Sequence, residues 1–600
     1  MTQNSWHHSL LIASLAVAFA LPRGVEAGEL SEPLAARLAT LADGATTSAI
    51  VVLRDQVDLE SLTRSLAARH TSRKEWHREV VSTLRARAEA TQAPLRDALE
   101  AARPRGAVLG YTPYWIANLL VVEADRATLQ AIAARADVAW VEANFGARAE
   151  AAPQGASRSA EGTGRKSARS VGITPGLRAL RVDQVWSSLG TRGEGTLVAS
   201  LDTGVDGNHP ALAARWRGAG GSHPSSECWH DVQGGGTQFP FDSDGHGTHG
   251  MGTMAGAALG DSFGVAPAAR WIAANPIGGI VGPTFDNRVI DSFQWMADPD
   301  GNANTVDDVP DVLENSWGVN EQLGYPDCDP RWYAVIDGCE ASGVVVIWSA
   351  GGDGPAPSSI RSPADRATTA TNTFSVGTVD CSNGATFPYA LASFSSRGPT
   401  SCAQSPEFAK KPEVVAPGIG IYSCLPGNAY GVYSGSAMAG SHVAGVAALM
   451  RAANPDLPVN DVKRILLETA RDEGSSGEDN NYGWGFVDAY AAVASALQAA
   501  ASAESATSAA PWLGLAHPNP TRGTVRLRYR LPSVGEVAIT VVDANGRRVR
   551  ELLGGSIEAG DGLIRWDGRD DRGRAVCSGV YLLQLTASGF RGERRVLVLR

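Results

Sequence analysis

With 600 residues, 44% of them hydrophobic and 19% charged, the chain has the composition of folded protein and the length of about three or four domains. The net charge of −11 is modest for that length and gives no ground for a nucleic-acid partner. It is unevenly spread: residues 513–600 hold fifteen Arg against nine Asp and Glu, so this segment is +6 and the remainder −17.

The first feature in chain order is an apolar run at 10–21, LLIASLAVAFAL. Twelve apolar residues are too few to span a bilayer but suit the core of a signal peptide. Val25-Glu26-Ala27 offers the small residues a signal peptidase accepts, although the first nine residues contain no Lys or Arg. Residues 1–27 are therefore expected to be a signal peptide and the protein to be secreted. No later segment reads as a transmembrane span.

From residue 28 to 146 the pattern is β-α-β-α-β. SAIVVLRDQVD (48–58) reads as a strand, an Ala/Arg/Glu-rich helical region runs to about 103, and YWIANLLVVEAD (114–125) reads as one strand. A helix and a last strand follow in ATLQAIAARADVAWVEAN (127–144). A small α+β domain with an antiparallel sheet is the expectation. Residues 147–176, rich in Ala, Ser, Gly and Arg, read as an exposed linker open to proteolysis.

Between 177 and 495 short apolar runs alternate with helical stretches. TLVASLD (196–202), RWIAANPI (270–277), VPDVLENSWG (309–318), VVVIWSAG (344–351) and TFSVGTV (373–379) read as buried strands. Such alternation predicts an α/β domain, a parallel sheet covered by helices on both faces, with its chemistry at the carboxyl ends of the strands. Residues 496–512 are read as a second linker.

The segment 513–600 is all-β. Val525, Leu527, Tyr529 and Leu531 alternate with polar residues, as do Val537, Ile539 and Val541, and DANG (543–546) supplies a hairpin turn. GVYLLQL (579–585) and RRVLVLR (594–600) complete a small sandwich without a catalytic constellation.

The first cysteine is Cys228; Cys328, Cys339, Cys381, Cys402 and Cys424 follow, and Cys577 lies far downstream. In an exported protein these predict up to about three disulfides. Cys328–Cys339 and Cys381–Cys402 are the natural local loops, which leaves Cys228 with Cys424 and Cys577 unpaired; buried thiols are the competing reading. No CxxC pair of the zinc type occurs.

Three stretches carry candidate chemistry. LDTGVDGNHP (201–210) ends a buried strand on Asp202, a charge that needs a partner. FDSDGHGTHG (241–250) supplies His246 between glycines, with His249 read as structural. SGSAMAGSHVAG (434–445) is a tight turn feeding an apolar helix. Asp, then His, then such a turn is one of the known chain orders of the Ser-His-Asp triad.

DTGVDGNHPAL, DGHGTHGMGT, ENSWG and the SGSAMAGSHVAG–YGWG succession resemble the subtilisin-like serine proteases (subtilases, peptidase S8), nearest the bacillopeptidase F type, over about 180–495. The upstream domain resembles the family's inhibitory propeptide, YTPYWIANLL above all. HPNPTRG, WDGRDDRG and SGVY resemble FlgD-type immunoglobulin-like or secretion-sorting modules of bacterial proteins.

The resemblance implies a serine endopeptidase in which Asp202 orients the imidazole and His246 is the general base. It also implies that Ser316, Trp317 and Gly318, with Ser349, Ala350 and Gly351, line the cleft and pair with an extended peptide. For Trp317, core packing is an equal alternative. Two positions depart from the family pattern: SGTSMA appears as SGSAMA, so the nucleophile position is Ala437, and the oxyanion asparagine is replaced by Gly352. Ser436 and Ser441 flank the nucleophile position, but one residue along a helix turns a side chain by about 100°, so neither is expected to attack.

The expectation is a secreted or cell-surface pseudoprotease that binds peptides. An active endopeptidase with unusual groups and a surface structural or adhesion protein are the alternatives. Expected partners are an extended peptide, the chain's own propeptide, and cell-surface or secretion machinery through 513–600. No cofactor is assigned. Ca²⁺ is the one candidate, at DPDGNANTVDD (298–308), whose glycine falls at the wrong place for an EF-hand, so a solvated loop is the expected reading.

Overall fold

Strands that are apolar on both faces can be satisfied only between two layers of helices, and the runs read above between 196 and 379 assemble in that way. The computed structural model describes residues 28–69, 71–144, 172–258, 261–278, 285–382, 386–505, 511–514, 516, 519–531, 534–558, 560–587 and 590–600. The expected signal peptide and residues 147–171 of the first linker lie outside these.

Leu197–Leu201 is central in the main sheet. Val312–Asn315, Val345–Ser349 and Phe374–Asp380 lie to one side, Arg270–Ala274 and Trp229–His230 to the other, all paired in parallel. Val414–Pro417, absent from the sequence reading, joins Phe374–Asp380 in parallel, and Ala390–Leu391 pairs with it antiparallel. The helix Ser436–Ala453 is buried from Ser436 through Arg451. Its sequence is apolar almost all round, as a helix enclosed by its domain must be. A hairpin, Ile421–Leu425 with Ala429–Tyr433, precedes it.

The N-terminal unit is a five-stranded sheet in the order Glu29–Leu30, Val138–Ala143, Thr46–Leu53, Leu119–Asp125, Val108–Tyr114, mainly antiparallel, backed by helices that include Arg73–Ala102. Here 114–125 is not one strand. Asn118, at φ 43°, turns the chain between Val108–Tyr114 and Leu119–Asp125. The turn docks on the α/β domain, where Trp115 N and Ile116 N donate to Gln294 Oε1 at 2.7 and 3.3 Å. Trp76 Nε1 donates to Ala341 O at 2.7 Å, and Arg73 pairs with Asp311 at 2.8 Å.

The C-terminal segment packs a three-stranded antiparallel sheet against a four-stranded one, closing over Val525, Leu527, Ile539, Val541, Trp566 and Leu583. Two expectations fail. Residues 496–505, read as linker, continue the helix Ala489–Ser505, because Ala492, Val493 and Ala496 bury a face and Ala496 O accepts from Asn454 Nδ2 at 3.2 Å. The disulfide is Cys328–Cys402, across 74 residues, not either local loop. Cys339 and Cys381, like Cys228 and Cys424, are buried free thiols, and Cys577 is exposed and free. Cys339 lies on the buried side of the helix Tyr333–Ala341, with no solvent exposure.

Candidate functional site

Asp202 follows directly on the central strand, and its carboxylate is 3% exposed. Two donors hold it there. Thr203 N donates to Oδ1 at 2.7 Å, and His246 Nδ1 donates to Oδ1 and Oδ2 at 2.8 and 2.9 Å. The His246–Ala255 helix can approach this strand only without side chains between them: a Cβ on Gly247 would fall 2.2 Å from Gly204 O. Asp242, which the sequence reading passed over, caps the helix by accepting from Gly245 N and Thr248 N, each at 2.9 Å. An anion there suits the positive end of the helix dipole.

Burial works against a charge on His246, but the adjoining Asp202 carboxylate overcomes it and holds the imidazolium up to about 9. Its Nε2 is buried and has no hydrogen-bond partner among the described residues. His249 is a different case. Its Nε2 donates to Ile421 O at 3.0 Å, its ring stacks on Tyr433 at 4.5 Å, and burial lowers its pKa to about 3. It is a neutral packing residue.

The His246 helix packs against the Ser436–Ala453 helix closely enough that a Cβ on Gly250 would lie 3.1 Å from Ser441 Oγ. Ala437 is buried in a small cluster with Ile421, Met438 and Tyr433, two of which also hold His249. Both flanking serines are engaged: Ser436 Oγ accepts from Gly351 N at 3.1 Å, and Ser441 Oγ donates to Ala437 O at 3.0 Å. The first contact sets Gly352 and Ala437, each the next residue, on either side of one junction.

Ser316, Trp317 and Gly318 follow the strand Val312–Asn315, and Ser349, Ala350 and Gly351 close the neighbouring strand. The Trp317 indole is 2% exposed and packs edge-on against Phe285, Trp332 and Trp348 at 5.1–5.8 Å. It belongs to the core, and only its backbone is available to a cleft. Arg361 crosses beside both glycines. A Cβ on Gly318 would lie 2.8 Å from Arg361 Cβ, and one on Gly351 3.6 Å from Arg361 Cγ. Its guanidinium is fixed on Asp353 by two hydrogen bonds, one of them 2.7 Å long. Beyond lies a cavity of about 360 Å³ lined by residues that include Val319, Asn320, Asp353, Arg361 and Asp365.

Glu314 is a second site residue, after Asp242, that sequence reasoning missed. It is 1% exposed, accepts a short hydrogen bond from Ser316 Oγ, and has a second oxygen without a partner among the described residues. Burial, then the charge of Asp202, pushes its carboxyl well above the usual carboxylate range. The signal was present as a lone acid inside the apolar strand VLEN.

Taken together, the site holds a hydrogen-bonded acid–imidazole pair at the carboxyl end of a parallel sheet, with the imidazole on a helix packed against the one that begins at Ser436 and Ala437. The Subtilase family profile matches residues 193–485, and the FlgD Ig-like domain profile matches residues 520–589. The chain is 32% identical to Bacillopeptidase F of Bacillus subtilis (strain 168) over 448 residues, covering 71% of this chain but 29% of that protein. It is also 32% identical to Subtilisin E of the same organism and to Subtilisin of Bacillus pumilus, in each case over 51% of this chain and over 67% and 93% of the relative. With its parallel sheet, its ordered motifs and this coverage of whole relatives, the chain belongs to the subtilase family.

Proposed function

We propose that the protein is a peptide-binding pseudoprotease: a subtilase that retains the cleft and the Asp202–His246 pair but cannot attack a carbonyl. One observation carries this reading. The second residue of the buried Ser436–Ala453 helix, where the family's sequence pattern puts the nucleophile, is Ala437, whose methyl group has no lone pair to attack with. Gly352 adds to it, since it has no side-chain amide to stabilise a developing oxyanion. The backbones of Ser316–Gly318 and Ser349–Gly351 pair with an extended peptide, and the cavity beside Arg361 takes one of its side chains.

On this reading residues 1–27 direct export, 28–146 are an inhibitor-like propeptide that stays attached, and 513–600 hold the protein at the cell surface. The domain limits are those read from the sequence, except that the α/β domain runs from 177 to the end of the helix Ala489–Ser505. The test uses purified full chain and two measurements. A fluorophosphonate probe leaves it unlabelled, while a library of extended peptides yields saturable binders that lose affinity when Gly318 is replaced by a bulky residue. Labelling of a serine would overturn the pseudoprotease reading. Absence of any peptide binding, before and after cleavage within 147–171, would leave a structural protein.

A second reading, an endopeptidase with unusual groups, has Glu314 behind it, a buried acid electrostatically linked to Asp202 and His246. Peptide hydrolysis by the full chain that disappears in Glu314→Gln would establish it.

A further inference from the structure

The loop between the helix Phe285–Ala297 and the strand Val312–Asn315 is not the solvated acidic run that its composition indicates. Asp298, at 5% exposed, and Asp308, at 1%, are buried, and one oxygen from each of Asp298, Asp300 and Asp308 lies within 4.8 Å of the others. Part of this set is satisfied within the loop. Asp308 Oδ2 accepts from Asp300 N at 2.9 Å, and Asp300 accepts from Asn302 N and Thr305 Oγ1 at 2.7 and 2.6 Å. Asp298 Oδ1 and Asp308 Oδ1 are buried with no hydrogen-bond partner among the described residues. Buried carboxylate oxygens left in this state are costly unless a donor or a cation meets them.

Two positive charges reach the acidic run 298–308 from outside: Arg217 pairs with Asp307 at 3.0 Å, and Arg85 pairs with a member of the three-carboxylate set. Arg85, on the helix Arg73–Ala102 of the N-terminal unit, pairs with Asp298 Oδ2 at 2.5 Å and donates to Gly301 O at 2.7 Å. That contact uses the other oxygen of Asp298 and does not touch Asp308. Three carboxylates paired directly with one guanidinium leave negative charge in excess, and two of their buried oxygens have no partner among the described residues.

We propose that Asp298, Asp300 and Asp308 bind one divalent cation of the Ca²⁺ class, and that Arg85 weakens this binding while the N-terminal unit is docked. An all-oxygen donor set selects a hard cation, and three carboxylates at irregular spacing with loop oxygens nearby suit the flexible coordination of Ca²⁺ better than the strict octahedron of Mg²⁺. Arg85 sits on one carboxylate of the set, so its charge repels the incoming ion. The bound cation would tie the helix that carries the N-terminal unit to the strand that leads into Glu314 and Ser316.

The test is calorimetric titration of the chelator-treated full chain with CaCl₂, alongside thermal melts with and without Ca²⁺. The wild type is expected to bind one equivalent that is lost, or weakened by at least about tenfold, in Asp300→Asn and in Asp308→Asn. Melting of both variants without metal should be unchanged or raised, because a repulsive charge is gone. Asp300 is only half-buried, so its variant keeps the test open if Asp308→Asn fails to fold. Arg85→Gln should tighten the same equivalent by about threefold or more, the direction expected when a like charge is removed. Identical Ca²⁺ binding in the wild type and both Asn variants would overturn the site, and unchanged affinity in Arg85→Gln would overturn the coupling.

Discussion

The hydroxyl of Ser436 accepts the amide hydrogen of Gly351 at 3.1 Å, which ties the first residue of the Ser436–Ala453 helix to the chain just beyond the strand Val345–Ser349. That tie occupies Ser436 and leaves position 437 as the next residue along the helix. Ala437→Ser is therefore expected to create fluorophosphonate labelling that the wild type lacks, with mass analysis placing the label on residue 437. Adding Gly352→Asn should raise peptide hydrolysis by a further factor of order 10²–10³, the size of the effect of such a donor in subtilisin. Label on Ser436 or Ser441 in the wild type would contradict the geometry.

Docking of the N-terminal unit should weaken in acid. His77 is fully buried at the interface, where its Nδ1 donates to Ser342 O at 3.2 Å, and burial, reinforced by Arg73 and Arg85, lowers its pKa to about 4. Undocked, the imidazole titrates near about 6.5. Above that pH neither state takes a proton, and the contact keeps its full stability. As pH falls below it the undocked form is protonated first, and by pH 5 linkage removes about 2 kcal/mol. Hydrogen-exchange protection along Arg73–Ala102, corrected for the intrinsic rate at each pH, should fall between pH 7.5 and 5, and His77→Gln should flatten the fall.

Reduction should cost substantial stability. Cys328 and Cys402 close a loop of 74 residues in sequence, for which chain entropy gives about 4 kcal/mol. Non-reducing peptide mapping should recover this pair alone from the α/β domain. Denaturant titration of Cys328→Ser should show the loss, with Cys339 and Cys381 slow to alkylate in the folded state.

Replacing Trp317 separates core from cleft. Its indole is packed against Phe285, Trp332 and Trp348, so Trp317→Ala should destabilise the fold by about 3–5 kcal/mol. Calorimetric melting reads that loss. A variant of wild-type stability that lost only peptide affinity would move the side chain into the cleft.

Much of the architecture was legible along the chain. Apolar runs such as TLVASLD and VVVIWSAG can exist only as buried strands, so the covered parallel sheet followed from local pattern. Alternation in Val537, Ile539 and Val541 likewise required a sandwich. Asp202 stood out because a charge at the end of such a strand needs a partner, and His246 because glycines flank it. Those are short-range signals, carried by residues a few positions apart. Other features were decided by groups that meet only after folding. Cys328 bonds to Cys402 rather than to Cys339, because a helix carries Cys339 into the core. Glu314 reads as a lone acid in a strand until the sheet brings it into the field of Asp202 and His246. Residues 496–505 have the composition of a linker but stay helical, because the Ser436–Ala453 helix offers a surface to pack on. The same holds for Asp298 and Arg85, 213 residues apart. Composition made the acidic run 298–308 look solvated; burial and two distant guanidinium groups, those of Arg85 and Arg217, gave it its charge balance.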